Sequence, residues 1–72
     1  MKREFRLTIE TKDGMIMQWF TPDYTEAVEE FNANMDMNSD GKVTRLILDY
    51  GTSDNDGTFF SCNTLQTYVH KE

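Results

Sequence analysis

The stretch that decides the fold is Glu4-Phe5-Arg6-Leu7-Thr8-Ile9-Glu10-Thr11-Lys12-Asp13-Gly14-Met15-Ile16-Met17-Gln18-Trp19-Phe20. Its first half alternates Phe5, Leu7 and Ile9 with Glu4, Arg6, Thr8 and Glu10, the period of a strand with one buried face. Met15 to Phe20 reads as a second strand, and Lys12-Asp13-Gly14 between them is turn chemistry. Loop length then fixes the register. A two-residue Asp13-Gly14 turn pairs Ile9 with Gln18 and Glu10 with Met17, which mixes the faces. A three-residue loop with Gly14 in the left-handed conformation pairs Thr11 with Met15, Ile9 with Met17 and Leu7 with Trp19. Only this register leaves one clean apolar face, and it is the one expected.

After the hairpin, Thr21-Pro22-Asp23 stops the strand and starts a helix over about 23–36. Asp23-Tyr24-Thr25-Glu26 has capping-box spacing, with Asp23 accepting from first-turn amides and Glu26 reaching back. Thr21 followed by Pro22 is the alternative start. Tyr24, Ala27, Val28, Phe31 and Met35 fall on one helical face. Asn38-Ser39-Asp40-Gly41 ends the helix, and Lys42 to Tyr50 is a third strand. Its expected faces are Thr44, Leu46, Leu48 and Tyr50 on one side, and Val43, Arg45 and Ile47 on the other. A polar loop from Gly51 to Gly57 leads into a fourth strand at Thr58-Phe59-Phe60. For the tail, Leu65, Tyr68 and Val69 have helical spacing, yet Leu65, Thr67 and Val69 also alternate, and Thr, Tyr and Val favour strand. The expectation is an α+β domain spanning 1–72, of order ββαββ. Its antiparallel sheet has four strands, or five if the tail forms its own, with one helix on one face.

With 72 residues the chain has room for one small core, and the usual stability per residue amounts to about 4–10 kcal/mol. One cysteine, Cys62, forms no internal disulfide. Met1-Lys2-Arg3-Glu4 runs straight into the first strand without a secretory apolar segment, and no apolar run approaches a bilayer span. These features point to a cytoplasmic protein. The net charge of −6 argues against direct nucleic acid or anionic membrane as partner.

The charge is unevenly placed. Residues 1–12 carry four basic and two acidic groups, residues 13–41 seven acidic groups with no Lys or Arg, and residues 42–72 three basic and four acidic. The helix thus shows Asp23, Glu26, Glu29, Glu30 and Asp36 without the cations that usually pair with them at i,i+4. Residues four apart on a helix lie roughly 6 Å apart along its axis, so such a row loosely imitates the charge of a phosphate strand. The plainer alternative is that an exposed helix face is charged for solubility.

Other chemistry finds less support. Asp36-Met37-Asn38-Ser39-Asp40-Gly41-Lys42-Val43-Thr44 resembles the first nine positions of a calcium loop of the EF-hand or dockerin kind, with Asp36, Asn38 and Asp40 in ligand places. The twelfth position, which should supply a bidentate carboxylate, is Ile47. The alternative is an Asx-rich connection whose side chains cap backbone groups and whose Gly41 is left-handed. Asp54-Asn55-Asp56-Gly57 reads as a hairpin loop by the same logic. His70, the only histidine, lies near the end of the chain and is expected to be solvated; Cys62 is expected to be a small buried hydrophobe. Neither they nor Ser61 has a partner visible in sequence, and no glycine-rich phosphate loop exists, so the reading is non-enzymatic. Ile16, Phe20, Val43 and Ile47 point away from the expected core face. If uncovered, they form a patch for a partner or a homodimer, which makes a homo-oligomeric structural protein a further alternative.

In size and charge, though in no matched motif, the chain resembles the small acidic inhibitors that phages and mobile elements make against nucleic-acid enzymes, the anti-CRISPR and anti-restriction proteins. The resemblance implies a protein-binding module that presents acidic surface to the basic nucleic-acid groove of a protein partner. The candidate surface is Asp23, Glu26, Glu29, Glu30, Asp36 and Asp40, joined by Asp54 and Asp56 if their loop lies on the same side. No cofactor is expected under that reading, and calcium only under the loop alternative.

Overall fold

A computed structural model describes residues 2–71. The elements are β1 (Lys2–Thr11), β2 (Ile16–Thr21), α1 (Tyr24–Asp36), β3 (Val43–Ser53) and β4 (Phe59–Val69). All strands pair antiparallel in one sheet of order β2-β1-β3-β4, so the α+β reading holds, with four strands and no fifth among the described residues.

The β1–β2 hairpin adopts the register that keeps one apolar face: Leu7 faces Trp19 and Ile9 faces Met17. Its loop is three residues long, closed by Thr11 N–H to Met15 O at 2.9 Å, with Gly14 at φ +89°. The Thr11 hydroxyl donates to the Asp13 carboxylate and holds that carboxyl below its usual range. At the other end, the Thr21 hydroxyl accepts from Asp23 N–H at 3.2 Å, and Asp23 Oδ1 accepts from Thr25 N–H at 2.9 Å and Glu26 N–H at 3.3 Å. Strand end and helix start are therefore tied through two adjacent caps, each satisfying amides that the helix leaves free.

α1 carries the chain from β2 over β1 to β3 and packs on all three strands. Ala27 and Phe31 are its buried residues, set against Leu7 of β1 and Leu46 and Leu48 of β3. Phe5, Ile9, Trp19, Val28, Val43 and Tyr68 pack around this centre. The expected helical face is thus only partly inside. Tyr24 stays exposed while its ring touches Phe5 at 5.6 Å between centroids, and Met35 is also exposed.

Before Leu46 the alternation expected of β3 breaks, and after Tyr50 the strand runs on further than expected. A bulge lies between Glu10 and Thr11: Glu10 faces Arg45 but Thr11 faces Val43, so Thr44 is an extra residue. An extra residue turns its neighbour to the other face. Val43 consequently packs on the core and leaves the outward set, and the Thr44 hydroxyl donates to Glu10 O at 3.1 Å. At its other end β3 continues to Ser53, so the connection shrinks from the expected 51–57 to the turn after Ser53. Asp54 organises that turn, its Oδ1 accepting from Asp56 N–H at 2.9 Å and Thr58 N–H at 3.0 Å.

Gly51 therefore lies inside a strand, and the reason is steric. A Cβ there would stand 2.1 Å from Phe60 O and 2.7 Å from the Phe59 ring. Phe59 lies across this gap, on the face away from α1. Its ring meets Phe20 of β2 edge-on at 5.6 Å and sits 4.6 Å under the Arg6 guanidinium. Arg6 in turn pairs with Asp49 at 2.7 Å, and Asp49 also accepts from the Thr64 hydroxyl at 2.8 Å. One residue from each strand, together with Phe59, thus makes a small second core on a face no helix covers.

This packing predicts that Gly51→Ala costs about 3 kcal/mol or more, because a backbone oxygen cannot yield as a side chain can. Gly14→Ala, at positive φ but in open space, is expected to cost only about 1–2 kcal/mol. Urea unfolding of the two variants checks the order.

Candidate partner-binding site

α1 presents Glu26, Glu29, Glu30 and Asp36 to solvent. Among the described residues none of the four lies within ion-pair distance of a Lys, Arg or His; the ion pairs are Arg6–Asp49, Lys42–Asp40 and Arg45–Glu10. From Glu26 to Asp36 the row extends about 15 Å along the helix axis. Glu26 sits in the first turn, where the helix dipole favours an anion, while the last turn holds no basic residue.

The cations are elsewhere. Strand alternation puts Arg6 and Arg45 on the face opposite α1, each held by a carboxylate. Arg45 binds Glu10 through Nε at 2.9 Å and Nη2 at 2.8 Å, which raises its already high pKa. The two sides therefore differ: Arg6 and Arg45 are paired with carboxylates on one face, while the acids of α1 on the other are not paired.

The remaining expected site residues divide by role. Asp23 is exposed, but its carboxylate is committed to the helix N-terminus. Asp40 follows the helix, caps Lys42 N–H at 3.2 Å and lies 3.7 Å from the same residue's ammonium. Asp54 serves its own turn and borders a shallow hollow beside Glu4 and Phe20, on the face away from α1. The structure thus does not bring Asp54 to the helix acids. The part of the expected surface left without structural duties is Glu26, Glu29, Glu30 and Asp36.

The Asp36–Thr44 segment is organised by backbone capping. Asn38 is buried, at 7% exposure, and acts as a false peptide unit toward Val43. Its Oδ1 accepts from Val43 N–H at 2.8 Å and its Nδ2 donates to Val43 O at 2.8 Å. The oxygen that a calcium loop would need at this place is already used. Gly41 is left-handed at φ +70°, with the His70 imidazole packed where a Cβ would be. Among the described residues no group of three or more His, Cys, Asp or Glu side chains is placed to hold a metal ion.

Two side chains sit differently from expectation. His70 is half-buried: its N–H donates to Thr44 O at 3.0 Å and its Nδ1 lies 3.3 Å from the Tyr68 hydroxyl, which also accepts from Asn38 Nδ2 at 3.2 Å. Cys62 is exposed, because it stands on the outermost strand with nothing packed over it. No helix among the described residues is long and apolar enough to cross a membrane.

Asn38→Asp separates the two uses of this loop. As a backbone cap it loses the donor to Val43 O and sets a carboxylate against that carbonyl, a destabilisation of about 1–3 kcal/mol. As a calcium ligand it would gain charge and strengthen calcium binding. The expected outcome is a lowered melting temperature that millimolar calcium does not restore.

No protein-family model, curated protein or solved structure matches the chain.

Proposed function

We propose that this chain is a non-enzymatic protein-binding module whose exposed helix face, Glu26, Glu29, Glu30 and Asp36, docks on a basic, nucleic-acid-binding surface of a protein partner. The observation that carries this reading is the segregation of charge. Four carboxylates share the outer face of one rigid helix with no cation within ion-pair distance among the described residues, while Arg6 and Arg45 are paired on the far side. A partner with an unoccupied basic groove gains from each of these carboxylates, and the long-range field speeds encounter.

The placement is suited to that use. α1 is anchored through Ala27 and Phe31 and capped by Asp23, so the acids project from a fixed scaffold and little freedom is lost on binding. The resemblance in size and charge to small acidic phage inhibitors suggests an enzyme that acts on nucleic acid as the partner class. Under this reading duplex DNA competes with the chain for the same groove.

The test is a pull-down with immobilised chain from cell lysate. The expected catch is a nucleic-acid-binding protein that is released by raised salt and by added duplex DNA. Glu26→Lys with Glu30→Lys should weaken capture at least tenfold, about 1.4 kcal/mol, while circular dichroism shows an intact fold. The melting temperature is expected to fall slightly, because the two introduced lysines repel as the glutamates did and the one at position 26 faces the positive helix end. Capture that survives the double reversal unchanged would refute the proposal.

A further inference from the structure

We propose that β4 is a docking edge for a second copy of this chain, pairing antiparallel with the partner's β4 so that two sheets become one of eight strands. β4 is an edge strand of eleven residues, and all but Phe59 and Tyr68 are exposed. α1 lies over β1, β2 and β3, which leaves Phe60, Leu65 and Val69 at 55%, 43% and 59% exposure. From Gly57 to Val69 there is no charged residue, in a chain that is 28% charged. Edge strands that stay single are normally blunted by lysine, proline, a covering element or bulges, and β4 has neither lysine nor proline and no helix over it. Its two bulges, which leave Cys62 and Leu65 without a facing residue on β3, bend the strand without placing any charge along it.

Charge selects the occupant. At a net −6, two copies repel over most of their surface and meet at least cost along their longest neutral stretch. A basic partner finds its complement on α1 instead. The strand is also its own match, since antiparallel pairing of a strand with its copy repeats every contact about one two-fold axis. β2, the other edge, offers only six residues and is bounded by Asp13 and Pro22-Asp23.

An antiparallel join places the axis normal to the sheet and both helices on one face. Five strand spacings separate the two β1 strands, so the acidic rows stand about 24 Å apart. That last consequence matters for function only if the acidic-face reading is right; the dimer itself does not depend on it.

Sedimentation velocity from micromolar to near-millimolar concentration, with spin labels on the single Cys62, tests the proposal. The expected result is a dimer whose labelled backbones lie about 14 Å apart when the strands overlap fully. Thr67→Lys and, separately, Leu65→Lys should each weaken the dimer at least tenfold while circular dichroism shows an intact fold. Glu26→Lys with Glu30→Lys should leave it intact, so this proposal and the preceding one fail separately. A monomer at every concentration, an open-ended polymer, a dimer with labels about 34 Å apart as β2–β2 pairing would give, or a dimer indifferent to both lysines would overturn it.

Discussion

One helix for four strands is the constraint on which the rest of this structure depends. A 13-residue helix is about 20 Å long and covers little more than three strands. One sheet face and the β4 strand are therefore left uncovered, and the chain deals with each differently. Under α1 the core is small: Leu7, Leu46 and Leu48 against Ala27 and Phe31. At roughly 2–5 kcal/mol for truncating one such leucine to alanine, a single substitution removes much of the stability available to a domain of this size.

On the uncovered face stability comes from a different source. Asp49 is nearly inaccessible, at 5% side-chain exposure, although no element lies above it; Arg6, Thr64 and Phe59 supply the cover. Burying a carboxylate this far is costly unless it is paired and hydrogen-bonded, and Asp49 has both kinds of partner. Arg6 is less well served, since its Nε is buried without an acceptor. The cluster therefore specifies geometry more than it adds stability. It sets β4 against β3 and requires glycine at position 51, linking a charge pair, an aromatic ring and a backbone approach in one local arrangement.

What the sequence reveals depends on whether a signal survives the insertion of one residue. The hairpin register is legible because each wrong pairing puts a polar residue on the apolar face, and the helix because Asp23 marks its start. The bulge at Thr44 is not legible: an extra polar residue leaves the composition unchanged while turning Val43 inward. The extra residues Cys62 and Leu65 likewise hide the course of β4. Gly51 did carry a signal, since an isolated glycine within an otherwise strand-like run marks close backbone approach. In Gly51-Thr52-Ser53-Asp54 it merges with turn residues and reads as a loop. His70 lay beyond reach, because its site is made by Gly41 and Tyr68 only once β4 pairs with β3. For the candidate site, the acids of α1 were legible as a set, but the capping duties of Asp23 and Asp40 separate them from the rest only in three dimensions.

The unpaired acids also carry an energetic argument. Glu26 and Glu30 repel at i,i+4 by about 0.2–0.5 kcal/mol, and Asp36 opposes the helix dipole by about 0.3–1 kcal/mol. Solubility requires neither cost, since interspersed Lys and Glu keep a surface wet while gaining the attractive pairs. The strands of the same chain show that pairing, in Arg45–Glu10 and Arg6–Asp49. A small domain that pairs Arg6 and Arg45 on one face and leaves these acids unpaired on a helix gives up stability there. That sacrifice is what a surface built to meet foreign positive charge would require, since any internal cation would compete with the partner for the same carboxylates.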